Sequence, residues 1–253
     1  MRLSVVLLLV ATRAASADPD DLITRPLVLP EYAVHAQLVI ETNLAPSSFA
    51  RPLSFAPDVW FGATPELTLG VIHSDASIDH IAPGASLCAR TEMFLCDHAY
   101  RGGGLDALYS ARTGTFAVAP HLRLLVRDLD PVKPALTLGA ALKWTHGRVE
   151  IASDPFLQLG LANTDRGNRA QLSLPVTFAI QPTCRWELEL RTGWNSELAV
   201  LRDGWHVPAY AGVVARATAN VDVGGGFGFT SILGPQNTPK ERVVFLMVGF
   251  RNE

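Results

Sequence analysis

The sequence predicts an all-β protein, a single closed antiparallel transmembrane β-barrel of about twelve strands after a cleaved signal peptide. Apolar and polar side chains alternate with a period of two through most of the chain, which is the pattern of strands with one apolar face. The alternating runs are about 9–13 residues long, close to the roughly 9–11 that a tilted strand needs to cross a bilayer. Short turns and longer loops also follow one another in regular order, as in membrane barrels. The predicted strands are 32–43, 55–64, 66–74, 105–113, 115–127, 135–145, 148–160, 170–180, 185–195, 208–217, 220–230 and 241–250.

The N-terminus has the layout of a secretory signal peptide. Arg2 precedes an apolar run at 3–11, and the small residues at 15–17 form a cleavage site. After residue 17 no run approaches the roughly 18 consecutive apolar residues of a membrane helix. The predicted organisation is a signal peptide at 1–17, a periplasmic N-terminal segment at 18–31 and a transmembrane barrel at 32–250.

Composition excludes some classes of function. The formal net charge is −3 and the mean hydropathy is +0.20, and no basic cluster marks a nucleic-acid surface. The glycine-rich run at 223–228 lies in a predicted strand and opens no helix, so it is not a phosphate-binding loop. No cofactor and no nucleic-acid partner are expected.

One predicted strand shows the expected polarity clearly. Trp186, Leu188 and Leu190 lie on one face, and Glu187 and Glu189 lie on the other. A closed barrel in lipid turns its apolar face outward and its polar face into the lumen. We therefore expect leucines outside and carboxylates inside.

The connections and the aromatic residues give the barrel a direction. Longer loops, among them 75–104 and 128–134, are expected after odd-numbered strands, and short turns after even-numbered ones. An even strand count places both barrel ends on the short-turn side, which is the periplasmic side in bacterial barrels. The tryptophans predicted near strand ends, where barrels carry aromatic girdles, are Trp60, Trp144, Trp186 and Trp194.

The inward polar positions are the candidate site. Both signs of charge occur there, and two interpretations stay open: an ion-paired network that fills the lumen, or a water-filled constriction that selects solutes by size and charge. In the second case an inner ring of Arg123, Arg191, Glu189 and Asp154 is the expected filter. The predicted pore-lining residues are His121, Arg123, Asp154, Gln158, Glu187, Glu189, Arg191 and Gln37, and those at the periplasmic rim are Glu66, Lys143, Glu150, Arg185 and Asp222.

The loop at 75–104 holds two of the three cysteines. Cys88 and Cys96 have a spacing that suits a local disulfide in an oxidising compartment, and Cys184 stands alone in a turn. Asp and His residues in this loop match no recognised metal spacing, so no metal site is predicted. The loop either folds into the lumen or caps the extracellular mouth.

The final strand, with Val244, Leu246, Val248 and Phe250 on one face, resembles that of Gram-negative outer-membrane β-barrels. Together with the signal peptide and the alternating strands, it makes the chain similar to small porin-like members of that group. The resemblance implies an outer-membrane location, contact with outer-membrane lipid, and recognition by the barrel-assembly machinery.

Three functions follow as hypotheses for a membrane barrel, and a fourth alternative is a soluble periplasmic β-protein with an apolar interior and a charged exterior. The first is a passive, porin-like channel for small solutes, and the second is a closed structural or surface-interaction barrel. The third, an outer-membrane hydrolase, needs a serine beside a histidine. His73 and Ser74 are adjacent on one strand and face opposite sides, so no enzyme is expected.

Overall fold

A computed structural model of the protein describes residues 22–44, 53–74, 80, 83–89, 102–235 and 241–252. The predicted signal peptide at 1–17 and Cys96 lie outside these residues. No helix in the described ranges is both long and apolar enough to cross a bilayer. The described strands are β1 (Val34–Asn43), β2 (Leu53–Thr64), β3 (Leu67–Ile72), β4 (Leu87–Ala89), β5 (Gly103–Tyr109), β6 (Phe116–Leu129), β7 (Val132–His146), β8 (Val149–Ser153), β9 (Phe156–Gly160), β10 (Gln171–Thr183), β11 (Trp186–Glu197), β12 (Trp205–Arg216), β13 (Val221–Leu233) and β14 (Arg242–Asn252).

These strands form one antiparallel sheet that closes on itself. β1 pairs with β2 on one side and with β14 on the other, in a register that runs from Val34↔Asn252 to Asn43↔Val243. Closure joins the two outermost strands of the described wall, which a sheet in lipid requires because hydrocarbon offers no hydrogen bonds to an open edge. The predicted closed antiparallel barrel is confirmed.

The strand count of twelve is also confirmed for the wall of the barrel. β8 and β9 both lie between β7 and β10, so together they form one wall strand, and β4 is a short addition to β2. The strand predicted at 148–160 is divided at Asp154-Pro155. Proline has no N–H to donate to the ladder, which explains the interruption.

The polarity is inverted relative to a soluble protein, as predicted. In β11, Leu188 and Leu190 are 44% and 53% exposed, whereas Glu187 and Glu189 are 4% and 5% exposed. Apolar side chains therefore form the outer face of the barrel and charged ones point inward. Trp144 and Trp186 also lie on the outer face near the short turns.

The prediction for Trp60 as a girdle residue is wrong. Trp60 is fully buried inside the barrel, and its indole Nε1 donates a hydrogen bond to Asp106 Oδ2 at 2.8 Å. Val59 and Phe61 on either side are exposed, so the alternation of β2 turns Trp60 inward.

The prediction of a longer loop at 128–134 is also wrong. β6 ends at Leu129 and β7 begins at Val132, so only Asp130 and Pro131 connect them. The two strands continue to pair up to Leu129↔Val132. Asp-Pro is a turn sequence, and it allows this hairpin to close far more tightly than the other connections at its end of the barrel.

Leu190→Arg is expected to lower the free energy of unfolding by about 2–4 kcal/mol, because it places a charge on the lipid face near the middle of β11. Urea titration of protein folded into lipid vesicles measures the change. Leu161→Arg is the matched control, since Leu161 is 59% exposed in the connection after β9. Equal losses of stability in the two variants would contradict the assignment of the outer face.

Candidate functional site

The segment before β1 lies inside the barrel. Leu22 and Ile23 belong to a short 3-10 helix, and both are buried. Leu22 packs with Val39 of β1 and Phe245 of β14, whose side chains point into the lumen. Leu27 and Val28 pack against β5, β6 and β7, and Leu29 packs beside Trp60 and Ile72. The alternation pattern, which assigns 18–31 to the periplasmic side, does not indicate this placement.

Polar groups of the wall hold this segment in place. Arg25 forms a two-pronged ion pair with Asp222 at 2.5 and 3.2 Å, and Lys143 Nζ donates to the Arg25 carbonyl oxygen at 2.9 Å. The backbone N–H of Ile23 donates to Gln181 Oε1 at 3.1 Å. Similarly, the backbone N–H of Leu29 donates to Thr68 Oγ1 at 2.8 Å. These contacts span the short-turn end of the barrel from β10 and β13 to β3.

Part of the long loop between β3 and β5 also enters the lumen. His80 Nε2 lies 3.1 Å from Glu150 Oε1, and His80 Nδ1 lies 3.9 Å from Glu189 Oε1. Lys143 Nζ contacts the other oxygen of Glu150 at 2.9 Å. Ala85 of the same loop packs in the apolar cluster around Leu22. Of the two alternatives for this loop, its described residues favour folding inward.

One group among the described residues has a geometry that could hold a metal ion. His80, Glu187 and Glu189 each bring one ligand atom within 4.8 Å of the others, and imidazole with carboxylates is a donor set for divalent ions. The sequence contains no signal for this group because His80 and the two glutamates lie on distant parts of the chain.

A cavity of about 1090 Å³ occupies the long-loop half of the lumen. Leu27 of the N-terminal segment lines it at the inner end. Both signs of charge line its wall, so the cavity is suited to water and polar solutes. Its acidic, basic and imidazole residues are Glu41, His73, His80, Asp106, His121, Arg123, Arg127, Asp154, Arg169, Arg191, Glu197, Asp203 and His206.

A compact polar network forms one wall of this cavity. His121 lies between two carboxylates, with Nε2 at 2.5 Å from Asp106 Oδ1 and Nδ1 at 2.9 Å from Asp154 Oδ2. Arg123 Nε is 3.3 Å from Asp106, and its Nη2 is 3.8 Å from Asp154. Trp60 Nε1 also donates a hydrogen bond to Asp106. Each buried charge thus has a partner of opposite sign, as its removal from water requires.

The predicted pore-lining residues are therefore divided between different places. His121, Arg123 and Asp154 meet in the network, and Gln158 lines the same cavity with its side-chain amide beside Arg127. Arg191 lines the same cavity from β11.

The remaining predicted residues lie nearer the short turns. Glu187 and Glu189 gather around His80, and Gln37 contacts His35 at 3.3 Å. Of the rim set, Lys143 pairs with Glu150, and Asp222 binds Arg25. Glu66 and Arg185 lie exposed in the short turns.

Sequence reasoning missed Asp106, which is the centre of the network. A signal was present, because Leu105 and Tyr109 on the same strand are apolar and face outward, so Asp106 must face inward. It also missed the position of the N-terminal segment inside the barrel, because the alternation of strand residues gives no information about a segment that is not a strand.

The hydrolase hypothesis gains no support from His121 or from the adjacent His73 and Ser74. The partners of the His121 ring are two carboxylates and a guanidinium rather than a serine. Ser74 donates its hydroxyl hydrogen bond to Asp58, while the ring of His73 contacts the Pro57 carbonyl oxygen at 2.7 Å.

The cysteines fall in two environments. Cys88, in β4, takes part in a disulfide bond, and Cys184 is free and exposed in the turn before β11. The predicted partner, Cys96, lies outside the described residues.

Comparison with solved structures identifies barrels of the same architecture. The NanC porin superposes with a TM-score of 0.62 at 8% sequence identity, covering 85% of this chain and 98% of that one. The KdgM porin, solved in complex with disordered oligogalacturonate, has a TM-score of 0.56 at 7% identity, covering 87% of this chain and 99% of that one. The chain has the fold of outer-membrane porins. No protein-family model and no curated protein matches the sequence of this porin-like barrel.

Asp106→Asn is expected to destabilise the barrel by about 3 kcal/mol, because it leaves His121 and Arg123 buried with one carboxylate fewer. The heat-induced mobility shift on a detergent gel, followed against temperature, measures the loss. Asp128→Asn is the control, because Asp128 and Lys133 form a more exposed pair in the β6–β7 hairpin. A similar loss in both variants would show that the network is not specially stabilising.

Proposed function

We propose that this protein is a passive outer-membrane channel that admits small polar solutes through its long-loop mouth. The observation that carries the proposal is a cavity of about 1090 Å³, lined by charges of both signs, inside a closed barrel with an apolar outer face. An apolar outer face suits lipid, and a charged interior suits water.

Selectivity would arise from the charges of the cavity wall. Arg123 has its charge balanced by Asp106 and Asp154, so it contributes little net field. Arg191 lines the cavity from β11, and the carboxylates that ion-pair with His121 and Arg123 lie on β5 and next to β9. We therefore assign Arg191 the larger influence on whether anions or cations pass.

The alternative function is a closed structural or surface-interaction barrel. The packing of residues 22–29 across the short-turn end favours it, because this segment narrows the exit from the cavity. The cavity itself favours the channel, since a purely structural barrel has no need of a large polar space that reaches the long loops.

Recording from planar lipid bilayers tests the channel directly. Protein whose folding is verified by its heat-dependent mobility in detergent is expected to produce discrete conductance steps. Folded protein that produces no steps across the accessible voltage range would contradict the channel and support the closed barrel.

Arg191→Glu is expected to shift the ion selectivity of the conducting protein toward cations, because it replaces a positive charge on the cavity wall by a negative one. Reversal potentials in a salt gradient measure the shift. Arg166→Glu makes the same charge change in the exposed turn between β9 and β10 and serves as the control. Equal reversal potentials for the two variants would remove Arg191 from the ion path.

A further inference from the structure

We propose that residues 22–29, hereafter the N-terminal plug, are a displaceable plug that closes the short-turn end of the lumen. This inference rests on the channel function proposed above and adds a closed resting state to it. The plug crosses the lumen between Gln181 of β10, Asp222 of β13 and Thr68 of β3. A solute that leaves the cavity toward the short turns therefore meets this segment.

Apolar burial favours the closed state. Ile23 and Leu29 are completely buried, and Leu22 is 3% exposed. Their removal from water supplies a driving force that holds the plug within the barrel. The resting protein is therefore expected to open for short periods, which appear as brief conductance steps.

The polar contacts make the plug displaceable. The wall groups that bind it are a carboxylate, an ammonium group, an amide and a hydroxyl group. Water can hydrate all four when the plug departs, which lowers the cost of an open lumen. If only apolar wall groups contacted the plug, water could not replace those contacts with hydrogen bonds after the plug departs.

The connection between the plug and β1 is a fixed turn, at which a displaced plug stays attached to the wall. Tyr32 is 72% exposed and has a φ of 64°, a left-handed conformation that is unfavourable for a non-glycine residue. Beside it, Tyr32 N–H donates to the Gly62 carbonyl oxygen at 2.8 Å, and Gly62 N–H donates to the Ala33 carbonyl oxygen at 2.9 Å. These two bonds anchor the base of the segment while residues 22–29 are held by the wall.

Arg25→Glu tests the plug in planar bilayers. The substitution places a carboxylate against Asp222, and like charges that are buried together repel. We expect the time spent in a larger conducting state to rise about tenfold. The double variant Arg25→Glu/Asp222→Arg restores opposite charges and is expected to return the recordings toward wild type. Arg112→Glu is the control, because it makes the same charge change at the short-turn end of the barrel but in the exposed turn between β5 and β6.

Thiol labelling measures displacement independently of conductance. In a Cys184→Ser background, Ile23→Cys places a thiol at a fully buried position of the plug, and Tyr32→Cys places one at an exposed position in the turn before β1. Adding Arg25→Glu is expected to accelerate maleimide labelling at position 23 about tenfold or more, because an unpaired buried charge is costly. Labelling at position 32 is expected to stay unchanged.

The two readouts separate the two proposals. Accelerated labelling with no conductance in any folded variant would contradict the channel and leave the plug displaceable. Unchanged labelling at position 23 would overturn the plug, whatever the conductance. If the Arg25→Glu variant does not fold, Arg25→Gln gives the same test, because it removes the positive charge without adding repulsion. The expected increases in open time and in labelling rate at position 23 are then smaller.

Discussion

A backbone N–H or C=O that faces hydrocarbon without a partner costs several kcal/mol, since lipid offers no hydrogen bond. The pairing of β1 with β14 removes the last open strand edge of the wall. Once the sheet is closed, every second side chain must point into a confined interior and the others must point into lipid. The exposed leucines, the buried carboxylates and the cavity all follow from that closure.

The interior then has to balance its own charges, because buried ions without partners are unstable. The charge of Asp106 is balanced by Arg123, and the charge of Glu150 is balanced by Lys143. Asp222 instead pairs with Arg25, which belongs to the N-terminal plug and not to the wall. The plug thus supplies the positive charge that Asp222 needs, in addition to occupying the short-turn end of the lumen.

The sequence predicts local features well and distant contacts poorly. Alternation reports which face a residue takes relative to its chain neighbours, so the strands and the inward position of Glu187 or Arg123 were predictable. The same rule places Trp60 and Asp106 inside, and for Trp60 it opposes the girdle expectation. The pairing of Arg25 with Asp222 joins residues 197 positions apart, and that of His80 with Glu150 depends on the path of a long loop. No periodicity encodes either contact.

The base of the plug also bears on how the barrel wall is aligned. A slip of β1 by one residue would turn each of its side chains to the opposite face. The paired bonds between Tyr32, Ala33 and Gly62 oppose such a slip, and a Cβ added at Gly62 would lie 1.9 Å from the Pro30 carbonyl oxygen. Close backbone contact at this glycine therefore fixes the register of β1 against β2, so the residues that anchor the N-terminal plug also align the first pair of wall strands.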